Sequence, residues 1–286
     1  MTQPPITSRS NPKIKEARSL KQRKTRAETG LFVVEGIRHV AEALEAGAPV
    51  EYLIYSPDML TSPFARELVE QQRQRGLPVH SATAAVYESL SERENPTGLL
   101  AVVRQQRPRL SELSPANLRW GVAAVAPADP GNVGTLIRTV DAVGADGVLL
   151  LDTGVDPYHP SAVRASLGSL FWVPVANATF AEFAAWSRQH QYHVYGTSAR
   201  GSVDYTTVDH YEQPSILLLG SEREGLTPEQ LALCQQVIRL PMRGRATSLN
   251  LAVAAGVLLY SMLEKQGTEG HEGNEGTKPN MGHEEP

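Results

Sequence analysis

Three stretches in the second half of the chain combine residue types that hold ligands and steer protons. The first, Asp129 to Arg138, reads Asp-Pro-Gly-Asn-Val-Gly-Thr-Leu-Ile-Arg and directly follows an apolar run. A glycine-bearing turn between strand and helix presents backbone amides and a helix N-terminus to a ligand. Asn132 falls near the helix start and Arg138 under two turns later, so both can project toward one cleft. The same residue types also serve as a helix cap (Asp129 or Asn132) or an ion pair of Arg138 with Asp141. The second stretch, Leu217 to Leu226, is a leucine strand that ends at Gly220 and turns through Glu222 and Glu224 to Gly225. Gly220 would let a ligand approach the backbone and Glu222 could accept from amides, although a plain strand-to-helix loop uses the same residues. The third, Ile238 to Asn250, carries Pro-Met, two arginines (Arg243 and Arg245) and a Ser248/Asn250 pair at the mouth of an apolar helix. Polar groups at such depth must be bonded, with Ser248 as N-cap being the simplest arrangement.

Other chemistries find no support in the residue pattern. His39, His80, His159, His190, His193 and His210 show no metal-ligand spacing, His271 and His283 lie near the C-terminus, and Cys234 is the one cysteine, so neither a disulfide nor a cysteine-built metal site is expected. The chain has no P-loop, no Gly-x-Ser-x-Gly elbow and no complete Gly-x-Gly-x-x-Gly. Its 286 residues, 41% hydrophobic and 20% charged, are those of a globular protein. The longest apolar stretch, Leu249 to Leu263, is shorter than the ~20 residues of a membrane span. The N-terminus lacks the apolar core of a secretory signal, and a cytoplasmic location is expected.

The net charge of −4 conceals opposite ends. Residues 1–26 carry eight Lys or Arg and one Glu, whereas residues 267–286 carry five Glu and one Lys in a Gly-rich context. The acidic tail is expected to be disordered because it has almost nothing to bury. The basic segment points to a polyanion, with Lys13, Lys15, Lys21, Arg23, Lys24 and Arg26 as candidate phosphate contacts; Arg164 is a further candidate nearer the site.

Apolar runs alternate with amphipathic stretches throughout, the signature of an α/β protein with a largely parallel sheet. Residues 27–104 read as four strands and three helices. Residues 105–117, with two prolines and no periodicity, read as a linker, and residues 118–266 as a larger α/β unit. Thr227-Pro-Glu-Gln230 is a well-marked helix start. The last helix, from Leu249, is apolar on nearly every face and must be buried in a core or an interface.

In this order and at these spacings the three stretches resemble the motifs of the SpoU (TrmH-like) branch of the SPOUT RNA methyltransferases, over residues ~120–265. The segments Asn-Pro-Lys-Ile-Lys (11–15), Leu-Lys-Gln-Arg-Lys-Thr-Arg (20–26) and Phe-Val-Val-Glu-Gly (32–36) resemble the L30e-like substrate-binding domain that precedes many such enzymes. The resemblance implies a homodimer with a deep C-terminal trefoil knot that transfers a methyl group from S-adenosylmethionine to a ribose 2′-hydroxyl in structured RNA, ribosomal RNA in preference to tRNA. Asn132, Arg138, Glu222, Ser248 and Asn250 match the family's functional positions. The backbone at Gly220, Leu240 and Leu249 is implied to contact the adenosyl group, with Leu219 and Thr197 beside it. Asp129 departs from the Asn frequent in the family. Two other readings are open to test: an RNA-binding protein without catalysis, and a dinucleotide-binding oxidoreductase using the Gly131/Gly134 turn with Asp152 as the ribose-binding acid.

Overall fold

The structure, a computed structural model, describes residues 4–152 and 154–265; the acidic segment 267–286 lies outside the described residues. Helices α1 (Pro12–Ser19) and α2 (Arg23–Thr29) precede β1 (Leu31–Glu35), α3 (Ile37–Glu45), β2 (Val50–Tyr55), α4 (Pro63–Gln74), β3 (Val79–Ser81), α5 (Ala84–Glu88) and β4 (Leu99–Arg104). The first sheet has the order β1-β4-β2-β3. Only β2 and β3 run parallel; β4 lies antiparallel between β1 and β2. The largely parallel arrangement expected from alternation therefore fails in this unit, because β4 enters the centre of the sheet in the reverse direction.

The basic N-terminal segment is not a separate stretch. Asn11 caps α1 by accepting from the Lys13 amide (2.9 Å), and Ile14, Ala17 and Leu20 are buried with Tyr52, Ile54 and Leu100 of the first sheet. Within α1 the charges lie on the outer face of an amphipathic helix whose inner face closes the core.

The second sheet comprises β5 (Trp120–Val125), β6 (Val148–Leu151), β7 (Val175–Ala178), β8 (His193–Thr197), β9 (Val203–Asp204), β10 (Ser215–Leu219) and β11 (Gln236–Arg239), in the order β7-β6-β5-β10-β8-β11-β9 and parallel throughout. The two-residue β9 has no periodic signal in the sequence. Helices α6 (Pro130–Ala142), α7 (Pro160–Ala165), α8 (Phe180–Gln189), α9 (Pro228–Leu233) and α10 (Leu251–Lys265) cover it. The central strands are buried on both faces and their side chains alternate between two cores. Val122, Ala124, Leu217 and Leu219 face α6 and α10, whereas Ala123, Val125, Ile216 and Leu218 face Phe183, Trp186 and Leu233.

The first of these cores continues into the first sheet through Phe32, whose ring centroid lies 4.6 Å from that of Tyr158. Arg26, a candidate phosphate contact, is 1% exposed: its Nε donates to Asp156 Oδ2 (2.8 Å) and its Nη1 to the carbonyls of Leu20 and Lys21. The pairing of two segments 130 residues apart removes it from any RNA surface. Residues 105–117 are tied down too. Gln105 donates to the carbonyls of Arg26 and Leu31, the Tyr158 hydroxyl to that of Gln106, and Trp186 Nε1 to that of Leu113. No helix among the described residues is long and apolar enough to cross a membrane.

Candidate active site

In a parallel sheet the strand ends all deliver their loops to one edge. At the C-terminal ends of β5, β10, β8 and β11 those loops are residues 126–129, 220–227, 198–202 and 240–250. The last three surround a cavity of about 910 Å³ lined by Thr197, Leu219, Gly220, Leu240, Ser248 and Leu249, with Ile238 and Leu258 as its apolar floor. That volume suits a ligand of nucleoside size.

Beside the cavity a hydrogen-bonded chain joins the three singled-out stretches. Asn132 Nδ2 donates to Glu222 Oε1 (2.6 Å), and Asn250 Nδ2 donates to Asn132 Oδ1 (2.9 Å). The other carboxylate oxygen of Glu222 accepts from the Ala128 amide (3.2 Å). Ala128 was not a candidate, since backbone amides leave no trace in residue type; the nearest signal is the strained Ala126, with φ of 42° just after β5. Asn132 is positioned by Asp129, whose Oδ1 caps α6 by accepting from the Asn132 amide (2.7 Å). Asp is as able a cap as the Asn it replaces.

The cap of α10 is Asn250, not Ser248. Asn250 Oδ1 accepts from the amides of Ala252 (2.9 Å) and Val253 (3.3 Å), so the helix begins at Leu251 and the side-chain amide stays free for Asn132. Gly220 is also required by the turn that follows it. A Cβ there would lie 2.3 Å from the Gly225 carbonyl carbon and 2.5 Å from the Leu226 nitrogen, because the 221–225 turn folds back onto it. Ser221 and Gly225 close that turn by exchanging backbone hydrogen bonds of 3.2 and 3.0 Å. Residues 198–202, which the sequence reading passed over, line the cavity and press Gly201 against the backbone of β11. The only available signal was a glycine shortly after a strand.

Arg138 stands apart. It is exposed on α6, forms no ion pair among the described residues, and is not joined to the Glu222–Asn132–Asn250 chain. Asp141, its alternative partner, accepts instead from Ser169 Oγ (2.7 Å). Cys234 is no nucleophile, since burial pushes its thiol up to about 11. Among the described residues no three His, Cys, Asp or Glu side chains could hold a metal ion.

The dinucleotide arrangement fails on geometry. A Cβ on Gly134 would lie 2.3 Å from the Ala162 carbonyl oxygen, so this glycine lets α6 pack against α7. Asp152 Oδ1 accepts from the Phe180 amide (2.9 Å) and is thereby engaged at the start of α8.

Among the remaining phosphate candidates, Lys15 and Arg23 are exposed, Lys13 pairs with Glu16 (2.9 Å) and lies over the Tyr52 ring, and Lys24 pairs with Glu28 (3.8 Å). Lys21 donates to the Ser91 carbonyl (3.3 Å), while Arg164 is exposed on α7.

Residues 120–260 match the model of the SpoU rRNA methylase family, and residues 11–101 that of the MRM3-like substrate binding domain. The chain is 33% identical, over 86% of its length and 87% of that protein, to the 23S rRNA (uridine(2479)-2′-O)-methyltransferase of Streptomyces viridochromogenes. It is 28% identical to the 23S rRNA (guanosine(2553)-2′-O)-methyltransferase RlmP of Bacillus subtilis, over 90% of this chain and 98% of that one. An AdoMet-bound rRNA methyltransferase from Sinorhizobium meliloti superposes with a TM-score of 0.83 at 36% identity, covering 91% of this chain and 97% of that one. With the three motifs joined at one sheet edge and this agreement along nearly the whole chain, the protein belongs to the SpoU family of RNA methyltransferases.

Proposed function

We propose that the protein transfers a methyl group from S-adenosylmethionine to a ribose 2′-hydroxyl of 23S ribosomal RNA, acting as a cytoplasmic homodimer. The observation that carries the reading is the Glu222–Asn132–Asn250 chain, which fixes three loops beside a cavity of nucleoside size. The cavity fits the cofactor in a second respect: among the described residues, the backbone of 240–249 makes no hydrogen bond, which leaves amides and carbonyls free for an adenine edge and ribose hydroxyls. Leu219, Leu240 and Leu249 offer apolar contact beside them.

When bound, S-adenosylmethionine supplies a sulfonium-activated methyl that needs little further activation. The demand falls on the ribose hydroxyl, a poor nucleophile near neutral pH, which the protein must orient and relieve of its proton. Arg138 is not the proton acceptor in this reading, because its guanidinium offers N–H donors and no acceptor. Its exposed, unpaired charge suits it to hold the phosphate beside the target ribose or to polarise the hydroxyl. Glu222 is an organiser, its two oxygens already engaged by Asn132 and the Ala128 amide.

The dimer is supported by α10. One side of this helix is buried, but Val253 (53% exposed), Val257 and Tyr260 (50%) form an apolar stripe at helical spacing. The adjoining helix α6 exposes Thr135, Arg138 and Ala142, likewise on one face. A second copy seated on this face would bury the stripe and bring Arg138 to the seam. A trefoil knot is part of this reading, supported by β11 lying between β8 and β9 while α10 returns to α6.

Single-turnover methylation of 23S rRNA fragments with labelled S-adenosylmethionine tests the reading. Arg138→Ala is expected to slow transfer by roughly 10²-fold or more and Arg138→Lys to retain part of it. Unchanged rates in both variants would remove Arg138 from the mechanism, and no transfer by the wild-type protein would overturn the activity. Tyr260→Asp is expected to sediment as a monomer.

A further inference from the structure

The contact between the two units gathers cations that outnumber the acids beside them. Lys21 follows α1, Arg38 opens α3, Arg93 lies in the loop before β4, and Arg164 belongs to α7 of the second unit. Lys21, Arg93 and Arg164 line one small cleft, together with Glu35, His39 and Glu92. Among the described residues none of the four cations forms an ion pair. Glu35 is already engaged, its carboxylate accepting from the Ser91 hydroxyl and the Glu92 amide.

Two details show that the cluster is built into the fold. The Arg93 guanidinium lies against Gly36, where a Cβ would be 3.1 Å from Nη2; Gly36 has φ of 109°, and Arg93 Nη2 donates to the neighbouring Glu35 carbonyl (3.4 Å). The absence of a side chain at position 36 therefore makes the seat for this arginine. Beneath the cations, His39 is 7% exposed, with Nε2 3.4 Å from the Arg164 carbonyl oxygen. Burial lowers its pKa, the hydrogen bond to the Arg164 carbonyl opposes this, and the charges of Arg93, Arg38 and Arg164 add to the lowering. Three cations beside two carboxylates leave the cleft net positive, and the spare N–H groups of the arginines match the oxygens of a phosphodiester.

We infer that this seam between the two units is a phosphate-binding site for the RNA backbone, with Arg93 from the substrate-binding unit and Arg164 from the catalytic unit gripping the same strand. The inference rests on the RNA methyltransferase reading and adds a register to it: neighbouring phosphates of one strand, one held by each unit, fix where the strand runs relative to the catalytic loops. On the outer face of α1 and α2, Lys13 and Lys24 have acidic partners and Arg26 is buried, which leaves Lys15 and Arg23 as the exposed cations there.

The test uses the full chain, a 23S rRNA fragment that the wild type methylates, and affinities measured from 50 to 300 mM salt. Each of Arg93→Gln and Arg164→Gln is expected to reduce the slope of log affinity against log salt by about 1, and the double variant by about 2. The KM for RNA rises in step, while the Kd for S-adenosylmethionine stays at its wild-type value. Arg93→Lys with Arg164→Lys restores most of the slope, which separates charge from structural damage; a slope that stays low in the lysine variant overturns the inference. Arg75→Gln, on the far edge of the first sheet, leaves the slope alone. A wild-type slope and KM in the double glutamine variant would also refute the seam while leaving the methyltransferase reading intact. Failure of the wild type to methylate any rRNA is the separate result that removes that reading.

Discussion

Replacing Arg26 by Met tests whether the buried pair with Asp156 holds the two units in register. The guanidinium is 1% exposed and Asp156 9%, so solvent screens their interaction little. In the variant Asp156 loses its 2.8 Å partner and keeps only Arg107 at 3.9 Å and the Tyr158 amide at 3.0 Å, while the Leu20 and Lys21 carbonyls each lose a donor. Stranding one member of a buried pair costs about 3–5 kcal/mol. At about 2–4 °C per kcal/mol for a chain of this size, Tm should fall by roughly 6–20 °C. Asp156→Leu should destabilise comparably. The double variant should recover part of the sum, because neither charge is then left unpaired, with a coupling of about 1–3 kcal/mol. Thermal and urea unfolding of the four proteins measure this. Single variants within 1 kcal/mol of wild type, or strict additivity, would show that the pair does not clamp the units.

Gly220→Ala should abolish cofactor binding in calorimetry, because its Cβ meets backbone that cannot step aside at 2.3–2.5 Å; wild-type affinity would disprove the folded-back turn. Asn250→Ser keeps a capping oxygen on α10 but cannot reach Asn132, so stability should stay within about 1 kcal/mol while methyl transfer drops; equal activity would dismiss the side-chain chain. Stability should also decline as pH falls below about 6.5. His39, His80 and His193 all have pKa values lowered chiefly by burial, so the unfolded chain takes up protons that the folded one refuses. Above 6.5 both states are neutral at these sites and the effect vanishes. A urea midpoint that is flat between pH 7.5 and 5.5 would contradict it.

Local chemistry made much of this legible. The Thr227 capping box forms as its residues dictate, with Thr227 Oγ1 accepting from the Gln230 amide and Gln230 Oε1 from the Thr227 amide. The first unit holds the four strands its apolar runs mark. The three site stretches were visible because glycines, asparagines and acids at strand ends are informative about turns. What escaped depended on distant partners. Apolar alternation reports that β4 is a strand but not which way it runs. The charge on Arg26 reads as a solvated contact until Asp156, far along the chain, neutralises it. Ser248 and Asn250 are equally good caps, and only the position of Asn132 selects between them.

The Glu222–Asn132–Asn250 chain spans 90 and 118 residues of sequence, so its members are synthesised far apart in time. The helix that Asn250 caps is also the last element among the described residues, and its end is clasped by Lys265 Nζ donating to the carbonyls of Tyr205 and Thr206. Contacts of such long separation close late and slowly. A nascent chain halted before that helix would possess most of the sheet yet no assembled centre, which makes activity itself a report that translation has run through Asn250 and the helix it caps.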